Sequence, residues 1–209
     1  MPLGPVIGPM VMAGVMIEEG EEDKLAKMGV KDSKMLSPKA REIMFDLVKS
    51  NCSNYKTLIV DVNMVDAALA TDDMNLNKLE AQKMAEVINA LEPDRAIIDC
   101  PSNNIPAFVS YLRKHIKNKN IEIIAEHKAD ENHLVVGAAS ILAKVTRDRE
   151  IEKIKNKIGV DFGSGYPSDP RTVAFVEKNW NKHPSIFRKS WSSYRKYVEK
   201  FKNKSLGDF

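Results

Sequence analysis

IEIIAEHKADENHLVVGAASILAKVTRDRE, residues 121–150, is the stretch on which the fold turns. Ile121 to Ala125 is a short apolar run with the look of a buried strand, and the acid Asp130 stands just past it. Leu134, Ala138, Ile141, Leu142 and Val145 then recur three or four residues apart, the period of a helix with one buried stripe. Gly159 is placed to cap that helix at its C-terminus. Strand, acid and helix in succession are the repeating unit of an α/β sheet.

The chain upstream repeats the unit. Val6 to Ile17 reads as a strand with Gly8-Pro9 bending its entry, and Thr57 to Val62 reads as another. Ser37-Pro38 starts a helix, a hydroxyl cap followed by proline in the first turn, whose inner face is expected at Ile43, Met44, Leu47 and Val48. Thr71, Asp72 and Asp73 offer caps for a helix carrying Leu76, Leu79, Met84, Val87, Ile88 and Leu91, which Pro93 ends. Arg95 to Asp99 is a short strand with an acid at its carboxyl end, and Ile105 to Ile116 is helical. Helices are also expected at Thr172 to Asn181 and Ser190 to Asn203. Strands alternating with helices predict an α/β mixed sheet flanked by helices, with a helical C-terminal extension. The expected division is a domain over residues 1–165 and a basic extension over 166–209.

At 209 residues the chain suffices for one generous domain, and no apolar run approaches the ~20 residues that cross a bilayer. Cys52 and Cys100 are too few and too far apart for a zinc site or a disulfide framework, which suits a reducing cytoplasm. The net charge of +3 is uneven. Residues 170–209 hold ten Lys/Arg against three acids, net +7, and the remaining 22 basic and 26 acidic residues leave −4. A basic tail on a mildly acidic body suits a polyanion, although a solvated helix face has the same composition.

Asp99 and Asp130 both follow strands, and in open α/β sheets ligands collect outside the carboxyl ends of strands. Carboxylates are hard oxygen ligands suited to Mg²⁺ or Mn²⁺, and two such ions can serve phosphodiester cleavage. Taken alone, an acid at a strand end is more often an ordinary loop residue. In GSGYPSDPR (163–171), glycines flank Tyr166 and let backbone approach closely, so the ring could stack on a sugar and its hydroxyl donate to one. A packed aromatic in a tight turn has the same pattern. His127 is equally a structural histidine, and Lys31, Ser33, Lys34, Ser140 and Lys144 are phosphate contacts by residue type and position.

In order along the chain, GPVIGPMV (4–11), VKDSKMLS (30–37), MNLNKLEA (74–81), IIDC (97–100), AEHKAD (125–130), AASILAKVTRDR (138–149), GSGYPSDPRT (163–172) and the Arg188/Trp191 region resemble the type 2 ribonuclease H family, ribonuclease HII, most closely its archaeal branch. The resemblance implies a ribonuclease H-like fold that cuts the RNA strand of RNA–DNA hybrids and incises at ribonucleotides embedded in duplex DNA, leaving 3′-hydroxyl and 5′-phosphate ends. It makes Asp99 and Asp130 two of four metal-binding carboxylates, holding Mg²⁺ or Mn²⁺ in a two-metal site. Tyr166 becomes the residue that recognises the 2′-hydroxyl, and Gly4, Lys31, Ser33, Lys34, Ser140, Lys144 and Arg188 are placed in the substrate-binding set.

One departure stands out. In the family a central first strand ends in Asp-Glu-Ala-Gly-Arg-Gly just before Pro-Val, whereas this chain reads Met1-Pro2-Leu3-Gly4-Pro5-Val6. Half the carboxylates and the first central strand are therefore expected to be missing, which leaves two apolar strands with unpaired edges. The alternative function is a catalytically inactive protein that binds hybrid or duplex through its basic tail. Residues 203–209 resemble a degenerate sliding-clamp peptide, and a frayed terminus would look the same. A cytoplasmic monomer without membrane association completes the expectation.

Overall fold

The computed structural model describes residues 4–30 and 36–206, the last six by backbone alone. Along the chain run β1 (Met10–Met16), α1 (Glu22–Lys27), α2 (Pro38–Asn51), β2 (Asn54–Val60), α3 (Val62–Ala68), α4 (Leu76–Leu91), β3 (Arg95–Asp99), α5 (Ile105–His115), β4 (Glu122–Glu126), α6 (Ala129–Asn132), α7 (Leu134–Ile158), α8 (Pro170–Asn179) and α9 (Ser192–Leu206). The α/β alternation is as read from sequence. The chain divides into two compact units, Val11–Leu58 with Asn75–Thr146, and Met1–Met10 with Ile59–Met74 and Arg147–Phe209.

The first unit carries the sheets. β3 and β4 are parallel, in register from Arg95 opposite Glu122 to Asp99 opposite Glu126. β1 lies beside β2 in a separate two-stranded sheet. Among the described residues no strand joins the two pairs. Two apolar clusters hold this unit. One packs Val15, Leu25, Val30, Phe45 and Val48 against Ala138, Ile141, Leu142 and Val145 of α7. The other packs Ala81, Ala85 and Ile88 of α4 against Ala96 and Ile98 of β3 and Phe108 and Leu112 of α5.

Helix starts follow local chemistry. The Ser37 hydroxyl accepts from the Ala40 N–H at 3.2 Å, with Pro38 in the first turn. Asn104 does the same for Ala107 at 3.0 Å. For α4 the expected caps at 71–73 give way to Asn75, whose side chain accepts from the Lys78 N–H at 3.0 Å. The helix ends where Glu92 turns left-handed at φ 50° ahead of Pro93. On α2 the inner face is Met44, Phe45 and Val48, whereas Ile43 and Leu47 are 59% and 40% exposed. At 100° per residue Phe45 and Leu47 stand equally far to either side of Met44 and Val48, and it is the Phe45 side that packs into the core.

The second unit has its own core, in which Val6, Ile7, Ile151, Phe162, Phe175, Val176, Phe187 and Tyr194 pack together. The expected strand Val6 to Ile17 is divided. Ile7 makes an isolated antiparallel bridge with Phe187, Gly8 takes φ 90°, and regular strand begins only at Met10. α3 was not foreseen; Asp61 starts it by accepting from the N–H groups of Asn63 and Met64 at 2.8 and 2.9 Å. Asp66 on that helix accepts from the N–H groups of Lys189 and Ser190 and from the Ser190 hydroxyl, fixing the approach to α9.

Candidate nuclease site

Asp99 closes β3, and the parallel β4 delivers the chain to Asp130 four residues beyond its own end. Between them Lys128 turns left-handed at φ 59°, a conformation that costs a non-glycine residue ~1–2 kcal/mol. The Lys128 N–H donates to Asp99 Oδ1 at 2.8 Å, so the first carboxylate braces the turn that sets the second. Asp99 and Asp130 both line one cavity of about 810 Å³, which Ser140 of α7 also lines. Two carboxylates on one cavity supply hard oxygen donors of the kind Mg²⁺ and Mn²⁺ take, and fit part of such an ion's shell. Among the described residues no group of three or more His, Cys, Asp or Glu side chains gathers as a metal site.

Neighbouring groups are structural. His127 Nδ1 donates to the Cys100 carbonyl at 3.0 Å, since a carbonyl can only accept. Cys100 is a buried free thiol whose pKa burial pushes up, the opposite of what a nucleophile needs. Glu126 accepts from Asn132 at 2.8 Å and pairs with His133 at 3.1 Å.

Tyr166 belongs to the second unit, and its turn is pinned at almost every N–H. Gly163 donates to Asp161 Oδ1 at 2.9 Å and Ser164 to Asp169 Oδ2 at 2.8 Å. Gly165 donates to the Thr172 hydroxyl at 3.0 Å, and that buried hydroxyl donates onward to the Phe162 carbonyl at 2.9 Å. Gly165 takes φ 80°, and a Cβ there would stand 2.9 Å from the Ile7 carbonyl oxygen. The Gly165 carbonyl in turn accepts from the N–H groups of Val6 and Ile7 at 2.8 and 3.2 Å. The Ser164 N–H, and after it the N–H and guanidinium of Arg171, hold the Asp169 carboxyl down to about 2. The Arg147 guanidinium lies 4.5 Å from the Tyr166 ring centre and donates to the Ser164 carbonyl at 2.9 Å. Arg147, Asp169 and Thr172 are supports the sequence reading did not single out, though each lies inside a quoted motif.

The other expected contacts divide. Lys144 is exposed on α7. Gly4 is packed against Trp191, where a Cβ would meet the indole Nε1 at 2.6 Å. Arg188 does not fit a nucleic-acid contact. It is only 3% exposed and donates to the carbonyls of Gly8 and Pro9, while its guanidinium lies 4.8 Å from the Trp191 ring centre. Lys31, Ser33 and Lys34 lie outside the described residues. Of the proposed clamp segment 203–209, only the backbone through Leu206 is described, as the end of α9.

Comparison with known proteins follows the same lines. The family profile of ribonuclease HII matches residues 3–194. The ribonuclease HII of Pyrococcus furiosus is 44% identical over 206 residues, covering 96% of this chain and 89% of that protein. The crystal structure of ribonuclease H2 from Pyrococcus horikoshii OT3 superposes with a TM-score of 0.85 at 40% identity, over 95% of this chain and 94% of that one. Ribonuclease HII from Archaeoglobus fulgidus, solved in complex with PCNA, gives 0.82 at 40% identity over 90% of each chain.

Proposed function

Because the chain belongs to the ribonuclease HII family, hydrolases that cut the RNA strand of RNA–DNA hybrids, we propose that it incises at ribonucleotides embedded in duplex DNA through a divalent-metal site holding Asp99 and Asp130. The observation that carries this reading is the convergence of Asp99 and Asp130 on one cavity at the carboxyl end of a parallel strand pair. Mg²⁺ or Mn²⁺ bound there would supply electrostatic stabilisation of the charge that develops on phosphate oxygens.

The chain's own residues do the rest. Asp99 and Asp130 contribute two of the oxygen ligands, and a two-metal site needs a further acidic pair beside them. Tyr166, held in place by its turn and by Arg147, offers its hydroxyl to the 2′-hydroxyl, the group that separates RNA from DNA. Lys31, Ser33, Lys34 and Lys144 contact backbone phosphates, and the basic extension over 166–209 attracts the duplex. Cleavage leaves 3′-hydroxyl and 5′-phosphate ends. The protein acts as a monomer, with residues 203–209 as the segment for a sliding clamp; the PCNA complex of the Archaeoglobus relative supports that partner.

The test uses duplex DNA with one ribonucleotide, the 209-residue chain, and an extended chain with Asp-Glu-Ala-Gly-Arg-Gly joined ahead of Pro5 in place of residues 1–4. With Mn²⁺ or Mg²⁺ the extended chain cuts at the ribonucleotide, and Asp99→Asn or Asp130→Asn abolishes cutting while hybrid binding remains. Binding without cleavage by the extended chain under every metal condition would overturn the reading.

A further inference from the structure

We propose that the outer face of α4 and α5, from Lys78 to Lys117, is a track for the phosphodiester backbone of duplex DNA, separate from the carboxylate site. At 100° per residue Lys78, Gln82 and Asn89 fall within about 40° of one another around α4. Met84, Val87, Ile88 and Leu91 line the cavity that Asp99 and Asp130 share. They centre about 180° away around the same helix. The helix thus turns one face to the cavity and the other to this track. The metal site proposed above plays no part in it.

Tyr111 is the centre of the track. Its hydroxyl oxygen accepts from Gln82 Nε2 at 3.0 Å, which leaves the hydroxyl proton to donate outward. The ammonium groups of Lys78, from α4, and Lys114, from α5, stand 5.7 and 5.9 Å from the centre of that one ring. Asn89 extends the face. Its side chain donates to the His115 carbonyl at 2.9 Å and accepts from the Lys117 N–H at 2.8 Å, which fixes the exposed Lys117 beside the end of α4.

Local structure does not account for these cations. Residues 101–120 carry four Lys/Arg and no acid. Arg113 and Lys119 satisfy carbonyls: Arg113 donates to Ile121 at 3.3 Å, and Lys119 to Arg113 and Ile116 at 3.0 and 2.6 Å. Among the described residues Lys114 and Lys117 have no acid partner, whereas Lys24, Lys83, Lys153 and Lys155 each pair with a glutamate three residues away. Lys78 stands in the first turn of α4, where the positive end of the helix dipole disfavours a cation. Two ammonium groups over one ring also repel each other, and an anion between them replaces that repulsion with attraction. Length selects the anion. Lys78 and Asn89 are eleven residues apart on α4, about 16 Å at the helical rise. A DNA strand presents a phosphate every ~3.4 Å along the duplex axis, so the track spans about five phosphates. A free phosphate or a nucleotide would use only one end of it.

The probe is a labelled DNA duplex without ribonucleotides, titrated with the whole chain in EDTA across a salt series, so that neither metal nor cleavage enters. Lys114→Gln together with Lys117→Gln should weaken binding at least fivefold. The same pair should flatten the dependence of log affinity on log salt by about 1.8, the value for two phosphate contacts. Tyr111→Phe keeps the ring, removes the donor and should weaken binding at least twofold. Lys24→Gln, at a lysine outside the track, should leave affinity within twofold. An unchanged salt slope in the double variant, or an equal loss in Lys24→Gln, would overturn the proposal. So would displacement of the duplex by polyglutamate as readily as by unlabelled DNA of equal charge, which would make the face a general polyanion surface. Acetylation of lysines in the unaltered chain gives a second measurement. Bound duplex should slow modification of Lys78, Lys114 and Lys117 at least threefold, and equal modification with and without duplex would overturn the track.

Discussion

The Thr172 hydroxyl joins the two ends of the turn that presents Tyr166, accepting from Gly165 and donating to Phe162 with no access to solvent. Thr172→Val keeps the shape and removes both bonds, leaving a buried N–H and a buried carbonyl without this partner. The loss should be ~1–3 kcal/mol in urea unfolding, and an unchanged midpoint would mean the hydroxyl is idle. Asp169 gives the turn its acid sensitivity. Its carboxyl sits at about 2 when folded against ~3.9 unfolded. A depressed pKa contributes stability fully above the unfolded value and loses it as pH falls through the folded one, so the window runs from about pH 4 down to about 2. Asp169→Asn should flatten the thermal midpoint across that window and leave its slope above pH 5 as it was. Tyr166→Phe keeps the ring beside Arg147 and removes only the hydroxyl. In the extended chain it should lower the preference for ribonucleotide over deoxynucleotide junctions by tenfold or more, and an unchanged preference would exclude the hydroxyl from that choice.

Elements were legible where their signals are local. Ser37-Pro38 marked α2, Pro93 the end of α4, and RAIID gave β3 to the residue, because caps, breakers and short apolar runs act within a few positions. Asn75→Ala should therefore cost ~1 kcal/mol in global unfolding without altering exchange in the Tyr166 turn. What local signals missed depends on partners far along the chain. Ile7 reads as strand yet pairs with Phe187, while α2 buries Phe45 and exposes Ile43 and Leu47. The glycines of GSGYP were visible, but their reason was not. Gly165 needs both φ 80° and room beneath the Ile7 carbonyl, so Gly165→Ala should cost more than the ~1–2 kcal/mol of the backbone conformation alone and release protection at Val6 and Ile7.

For the molecule as a whole, ordered motifs over most of the chain identified the family. Motifs place residues along the chain. They could not show that Asp99 and Asp130 line one cavity with residues of α4 and α7. They also could not separate Arg188, a buried structural cation, from a surface contact. The proposed chemistry depends on Asp99 and Asp130 as two ligands of a divalent-metal site. Its most direct measurement is the rate of incision of duplex DNA containing one ribonucleotide, as Mn²⁺ is titrated into the extended chain with and without Asp99→Asn. The expected result is a rate that rises from background with Mn²⁺ and saturates, and that Asp99→Asn abolishes. Full-rate incision that survives Asp99→Asn would contradict it.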